Sequence, residues 1–565
     1  MAISNATHSI WDGLIAAAYI FGELKKSAQD CPKRSARLDV SNNDFSEKDL
    51  QHYEQLVIMK KNPYLDLHDI IEPSISSKNT RKTQRFEPGL FLDNYIGDSS
   101  IWESADERPY VEIINRGLTG FAIPSKVLKS AKINSGHDKF KNINNQSPTP
   151  GADHSLSIFI IMELLCKVQN YDWGKIGHDS TVAELLAGAQ PHIPIDPTKP
   201  YAELWMGTHP NGPSMIIERN VLLSEYIKDN VDAIGPDVSK IFGVSVPFLL
   251  KILSVKKALS IQVHPEKEHA KELHSKFPEL YKDPNHKPEL AIAITPFEAL
   301  CGFRPLNQIQ GFLKKLPEVL AVLSKDSVNN LMNYQQQAES ESILKPVFHS
   351  LMTCDKEVVA GTLVSLLDRL DKEDEATQVS LLYPLVKRLH QDFPGDVGCL
   401  TPYFMNYMLV QPGQAIFLKP NLLHAYLSGD CVECMACSDN VVRAGLTPKH
   451  IDVPTLVEMV DYKSYAPHQL LFQPQLEDAN TCVWRPPVPD FAVAKIKVVG
   501  GETYNTVNRA SPSILIVISG SGTLCDTEPI EARPGTVVFL KASRQLTITP
   551  REGTDLEVYQ AICNV

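Results

Sequence analysis

Three short stretches of this 565-residue chain hold the side chains best suited to chemistry. In "LSIQVHP" Gln262 and His264 stand two apart, in "NHKPELAIAIT" Lys287 and Glu289 do, and in "LLHAYLSGD" His424 and Tyr426 repeat the spacing. Residues two apart share one face of a β-strand. The first stretch therefore predicts Ser260, Gln262 and His264 on one face, with Leu259, Ile261 and Val263 on the other, in the core. A glutamine withdrawn from water needs hydrogen-bond partners or another use, at a cost of about 2 kcal/mol or more if it finds none. Two imidazoles and a carboxylate suit a divalent transition metal, to which the Gln262 amide oxygen adds a neutral fourth ligand. Three unconnected strands with polar faces in water would fit the spacing equally. The apolar opposite faces favour a shared interior, as in a β-barrel lumen.

The elements that must position these residues follow from hydrophobic periodicity. Strand signals fill 162–304 and return from 400, whereas 306–395 reads as helix: Ile309, Phe312, Leu313 and Leu316 recur at helical spacing, and "GTLVSLLDRL" continues the pattern. An internal echo joins "PGQAIFLKPN" (412–421) to "PGTVVFLKAS" (534–543), a Pro-Gly turn feeding a strand. The first copy runs on to His424 and the second has no histidine. Two related β-barrels in tandem are expected, one with a site and one without.

Composition narrows the class. Net charge −12 and pI near 5.8 argue against a general nucleic-acid binder, so an anionic substrate would need a local basic pocket. Eleven dispersed cysteines suggest reduced thiols in the cytosol rather than a disulfide scaffold. "GLIAAAYIF" (13–21) is too short for a membrane span and is preceded by no Lys or Arg, so neither a signal peptide nor a transmembrane helix is expected. Residues 1–155 are polar and end in a Ser/Asn/Lys/Pro/Gly mixture, which reads as a poorly structured extension with a linker.

From Met162 onward the chain resembles the type I phosphomannose isomerases, on "NYDWG", "ELWMGTHPNGPS", "LSIQVHP", "NHKPELAIAITPFEALCGF" and "HAYLSGDCVECMACSDNVVRAGLTPK". The resemblance implies a mainly β fold with two cupin-like (jelly-roll) barrels: 162–305 and 396–460 as the catalytic barrel, 306–395 as an inserted helical domain, and 461–565 as a metal-free barrel. It implies one zinc per chain, held by Gln262, His264, Glu289 and His424. The implied reaction interconverts mannose 6-phosphate and fructose 6-phosphate through a cis-enediol, feeding GDP-mannose synthesis and glycosylation. A cytoplasmic monomer acting on a small sugar phosphate is expected, with no nucleic-acid or membrane partner.

Arg443, in "SDNVVRAGLTPK", is the arginine the family motif marks. A guanidinium is a poor base but a good holder of an oxyanion or phosphate, so it is assigned to electrostatic stabilisation; an ion pair with Asp439 is the plainer alternative. Lys287 and Lys449 are expected as further cations and Ser260 as a hydroxyl donor. His209 in "MGTHPNG", Lys287, Tyr426 and Glu433 are all eligible as the proton-transfer group, unranked.

Two patterns are set aside. Cys431, Cys434 and Cys437 are spaced like iron–sulfur ligands, but on a strand positions three apart face opposite ways. His269 and His274 follow His264 at intervals of five, which share no helix face, and exposed positions are expected for both. An iron-dependent oxygenase on the same barrel and a sugar-phosphate sensor without turnover are the rival functions.

Overall fold

The computed structural model describes residues 161–334 and 340–565; the expectations for residues 1–155 lie outside the described residues. The chain is mainly β with a helical insertion, as predicted.

The site is built on a ten-stranded sheet system whose spine is the 13-residue strand His424–Ala436. Its first part pairs with Phe297–Phe303 and with Ile261–Val263. Its second part pairs with Phe248–Val255 on one side and Glu289–Ala293 on the other. The hand-over falls at Gly429, which has φ +105°. A Cβ there would lie 2.5 Å from the Pro296 carbonyl oxygen, so only glycine allows the close approach. Alternation then sends Cys431 into one apolar cluster and Val432 and Cys434 into another. These thiols pack as small core groups.

The second sheet has nine strands and is centred on Ala492–Val498, Leu556–Ile562, Ser513–Ser519 and Val537–Leu540. It also takes in the first described strand, Ile161–Leu165, which lies between Val537–Leu540 and Met215–Ile216. The start of the site-bearing stretch is thus stitched into the C-terminal sheet. The echoed segments match in three dimensions. Their strands are Ala415–Leu418 and Val537–Leu540, the same positions of the repeat. Their turn glycines, Gly413 and Gly535, have φ +83° and +89°, and their tenth residues, Asn421 and Ser543, have φ +66° and +59°.

Helices run from Leu306–Lys315 to Tyr383–Asp392. Ile309, Leu313 and Leu316 are fully buried and Phe312 partly so, as the periodicity requires. Their cluster also contains Ile261, Val263, Ala425 and Leu427, so the helical segment packs on the backs of the strands that carry Gln262 and His424.

Two expectations are corrected. Leu259 is only partly in the core: it packs against an apolar cluster but also lines the cleft, because regular pairing begins only at Ile261, and the Leu259 N–H donates to the Tyr426 carbonyl at 2.9 Å. His269 and His274 are half-buried rather than exposed, and the His274 Nδ1 donates to the Tyr281 carbonyl at 2.7 Å, which ties helix Lys267–Lys276 to the loop after it.

Candidate active site

His264, Glu289 and His424 converge, all at 2% exposure or less. His264 Nε2 is 3.3 Å from Glu289 Oε1, and His424 Nε2 is 3.4 Å from Glu289 Oε2. Both ring orientations are fixed from behind. His264 Nδ1 lies 2.7 Å from the Asn440 carbonyl and His424 Nδ1 lies 2.8 Å from the Leu422 carbonyl. A carbonyl only accepts, so both Nδ1 atoms carry the proton and both Nε2 atoms present lone pairs. His264 Nε2, His424 Nε2 and Glu289 Oε2 are buried without a hydrogen-bond partner, a costly arrangement unless a cation occupies their common focus. Ligands about 2.1 Å from a tetrahedral zinc stand about 3.4 Å apart, so the donor spacing fits. Burial pushes His264 down to about 4, which keeps it neutral for ligation. Burial works against the charge of Glu289, but Lys287 and then His264 outweigh it and hold the carboxyl well below its usual range.

Gln262 sits opposite both His424 and Arg443 in the antiparallel register, half-buried and facing the cleft. The cleft holds about 380 Å³ and is lined by Gln262, Glu289, Lys287, Arg443, Lys449, His209, Tyr426 and Glu433. Lys287 Nζ lies 3.4 Å from Glu289 Oε1. Arg443 forms no ion pair among the described residues, while Asp439 is 3.5 Å from His209 Nε2, and this contact lowers the Asp439 pKa. Burial lowers the Arg443 pKa from its usual value. Lys449 is exposed at the rim. Ser260 is half-exposed just before the strand, and the structure does not bring it among the cleft-lining residues.

Sequence reasoning missed a buried polar cluster in the cleft wall. Lys251 lies 3.1 Å from Glu433 Oε2 and 3.4 Å from Glu203 Oε2, over the Trp205 ring. Trp205 Nε1 donates to Glu203, and the Tyr426 hydroxyl donates to Glu433 Oε1 at 2.9 Å. Burial disfavours the Lys251 charge, yet Glu203, Glu433 and Glu289 together raise its pKa above the ordinary value. Burial pushes Glu433 up, against the pull of Lys251. The signal was available in "FLLKILSV", where a lysine interrupts an otherwise apolar strand and so demands acidic partners. Tyr171 and Trp173 close another side of the cleft, on a loop fastened by the Lys175–Asp430 ion pair.

Known proteins resemble this chain along the described part. Residues 161–306, 319–405 and 484–527 match the catalytic, helical insertion and C-terminal regions of phosphomannose isomerase type I. Mannose-6-phosphate isomerase from Macaca fascicularis is 45% identical over 417 residues, spanning 71% of this chain and 98% of that protein. The Homo sapiens protein of the same name is 44% identical over the same length and shares. The apo crystal structure of mannose 6-phosphate isomerase from Salmonella typhimurium aligns with TM-score 0.61 at 29% identity, over 72% of this chain and all of that one. A zinc-bound structure of mannose 6-phosphate isomerase aligns with TM-score 0.61 at 30% identity over the same shares. The matches and the fold define an isomerase. The chain belongs to the type I phosphomannose isomerase family.

Proposed function

We propose that this chain interconverts mannose 6-phosphate and fructose 6-phosphate, with one zinc held by Gln262, His264, Glu289 and His424. The observation that carries this is the convergence of two buried imidazole Nε2 atoms on the two oxygens of Glu289, beside a cleft lined by Lys251, Lys287, Arg443 and Lys449. When bound, zinc supplies a redox-inert Lewis acid for the sugar oxygens.

The remaining steps fall to the chain's own side chains. A proton must leave C2 and arrive at C1 through a cis-enediol, while O1 and O2 exchange theirs. Glu433 is the group best suited to carry the carbon-bound proton, because burial moves its pKa upward, the direction a general base requires. Tyr426 is poorly suited as a base, since burial and then Glu433 raise its pKa; it orients Glu433 instead. Lys287, fixed beside Glu289, stabilises charge developing on the substrate oxygens. Arg443 and Lys449, on the strand and turn paired with the Gln262 segment, take the phosphate. His209 braces Asp439 at the cleft edge.

The catalytic barrel is assigned to 162–305 with 396–460, the helical insert to 306–395 and a metal-free barrel to 461–565, with the proviso that strand Ile161–Leu165 pairs with the C-terminal sheet. Ten described cysteines, all unpaired, suit a reducing cytosol, where a monomer would supply mannose 6-phosphate for GDP-mannose synthesis. Among the described residues no helix is long and apolar enough to cross a membrane. The test is fructose 6-phosphate formation from mannose 6-phosphate before and after chelation. Turnover lost on chelation and restored by zinc is expected; oxygen consumption with Fe(II), or binding without turnover, would contradict the proposal.

A further inference from the structure

The strand Val442–Gly445 carries Arg443, and the turn after it carries Lys449. That turn opens on Leu446, a buried non-glycine residue at φ +50°, a left-handed conformation that is strained for an L-residue. Something must hold it there. The Asp396 carboxylate accepts from the Leu446 N–H at 2.7 Å and the Thr447 N–H at 3.2 Å, as well as from the Gly398 N–H at 2.7 Å. The Thr447 hydroxyl in turn accepts from the Lys449 N–H at 3.1 Å. The contact is built for closeness: a Cβ on Gly398 would stand 2.5 Å from the Leu446 nitrogen, and one on Gly445 would stand 2.7 Å from Gly398 Cα. Asp396 follows the last helix of the insertion and caps the 3-10 turn Val397–Tyr403.

We propose that Asp396 is a positioning residue for the substrate's phosphate: presented by the end of the helical segment, its carboxylate fixes the Leu446–Lys449 turn and so sets where Arg443 and Lys449 offer their charge. The proposal rests on the assignment of Arg443 and Lys449 to the phosphate. A carboxylate gathering three backbone N–H groups makes charge-assisted bonds, which are stronger than neutral ones. It anchors a strained turn without touching substrate. The segment that leads out of the helical insertion thereby has a part in binding the anion, although the helices themselves lie behind the sheet.

The experiment uses the full chain with Asp396→Asn, Asp396→Ala and Gly398→Ala, and Arg443→Ala alongside. KM and kcat for mannose 6-phosphate, inhibition by inorganic phosphate, zinc content and melting temperature are measured for each. In Asp396→Ala, KM and the phosphate inhibition constant should rise together by about tenfold, the size of one charge-assisted hydrogen bond, with kcat within about threefold and zinc unchanged. Asp396→Asn should fall between this and the wild type. Gly398→Ala, which pushes on Leu446 and on the Asp396 carboxylate without removing its charge, should give the same signature even if Asp396→Ala does not fold. A lowered melting temperature with both constants unchanged in the variants that fold would mean a merely structural contact and would overturn the proposal. If Arg443→Ala leaves phosphate inhibition unchanged, the assignment of Arg443 fails instead; if Arg443→Ala weakens it and neither Asp396→Asn nor Gly398→Ala does, this inference alone fails.

Discussion

His424 stands directly opposite Gln262 across an antiparallel strand pair, and Arg443 stands opposite the same glutamine on its other side. Gln262 thus joins the histidine cluster to the cationic end of the cleft. The pairing predicts that Gln262→Leu, which keeps the volume and removes the amide oxygen, weakens zinc retention about tenfold or more while leaving the fold intact. Competition against a graded chelator reads this directly. Unchanged zinc affinity would place the fourth ligand elsewhere.

Arg443 forms no ion pair among the described residues and faces the cleft, so its charge is available to the substrate. Arg443→Ala should retain zinc and lower kcat/KM about 10²-fold, mainly through a higher KM, as expected when a charge-assisted contact to the phosphate is lost. Metal analysis and the isomerase assay on one preparation separate the two effects. Loss of zinc from this variant would mean that the arginine supports the metal cluster rather than the substrate.

Lys251 is held between Glu203 and Glu433 with 7% of its surface exposed. Lys251→Met would strand two buried carboxylates, at a cost of about 3 kcal/mol in chemical denaturation. Adding Glu433→Gln should recover part of that loss, because one of the stranded charges goes with it. No recovery would show that the pair is not energetically linked.

Ile161–Leu165 is an interior strand of the nine-stranded sheet, and Met162 and Leu164 are in its core. A chain shortened to begin at Met162 should keep zinc-dependent turnover. One beginning at Cys166 removes the strand between Val537–Leu540 and Met215–Ile216 and should melt about 10 °C lower or lose its cooperative transition. Equal melting of the two would mean that the strand contributes nothing to the sheet.

Alternation made the convergence of His264, Glu289 and His424 legible, because each lies on or beside a strand whose neighbours are plainly apolar. The helical face of Ile309, Leu313 and Leu316 was legible for the same reason. Periodicity is silent where pairing is irregular, and there the expectations failed. Leu259 lies one step outside the regular strand, and Ser260 does not take the cleft-facing place that alternation assigned it. Lys251 drew no assignment from the sequence, although a single buried charge in an apolar run requires acidic partners on other strands. Those partners, Glu203 and Glu433, are far away in sequence. The pairing of Ile161–Leu165 with the C-terminal sheet is likewise a tertiary fact with no local signal.

His264, Glu289 and His424 are expected to hold a zinc ion on which turnover depends. The most direct measurement is the zinc content of purified wild type and His424→Ala by elemental analysis, with mannose 6-phosphate isomerisation assayed on the same samples. About one zinc per chain with turnover in the wild type, and loss of both in the variant, is the predicted result. Full turnover in the variant without bound metal would contradict the account.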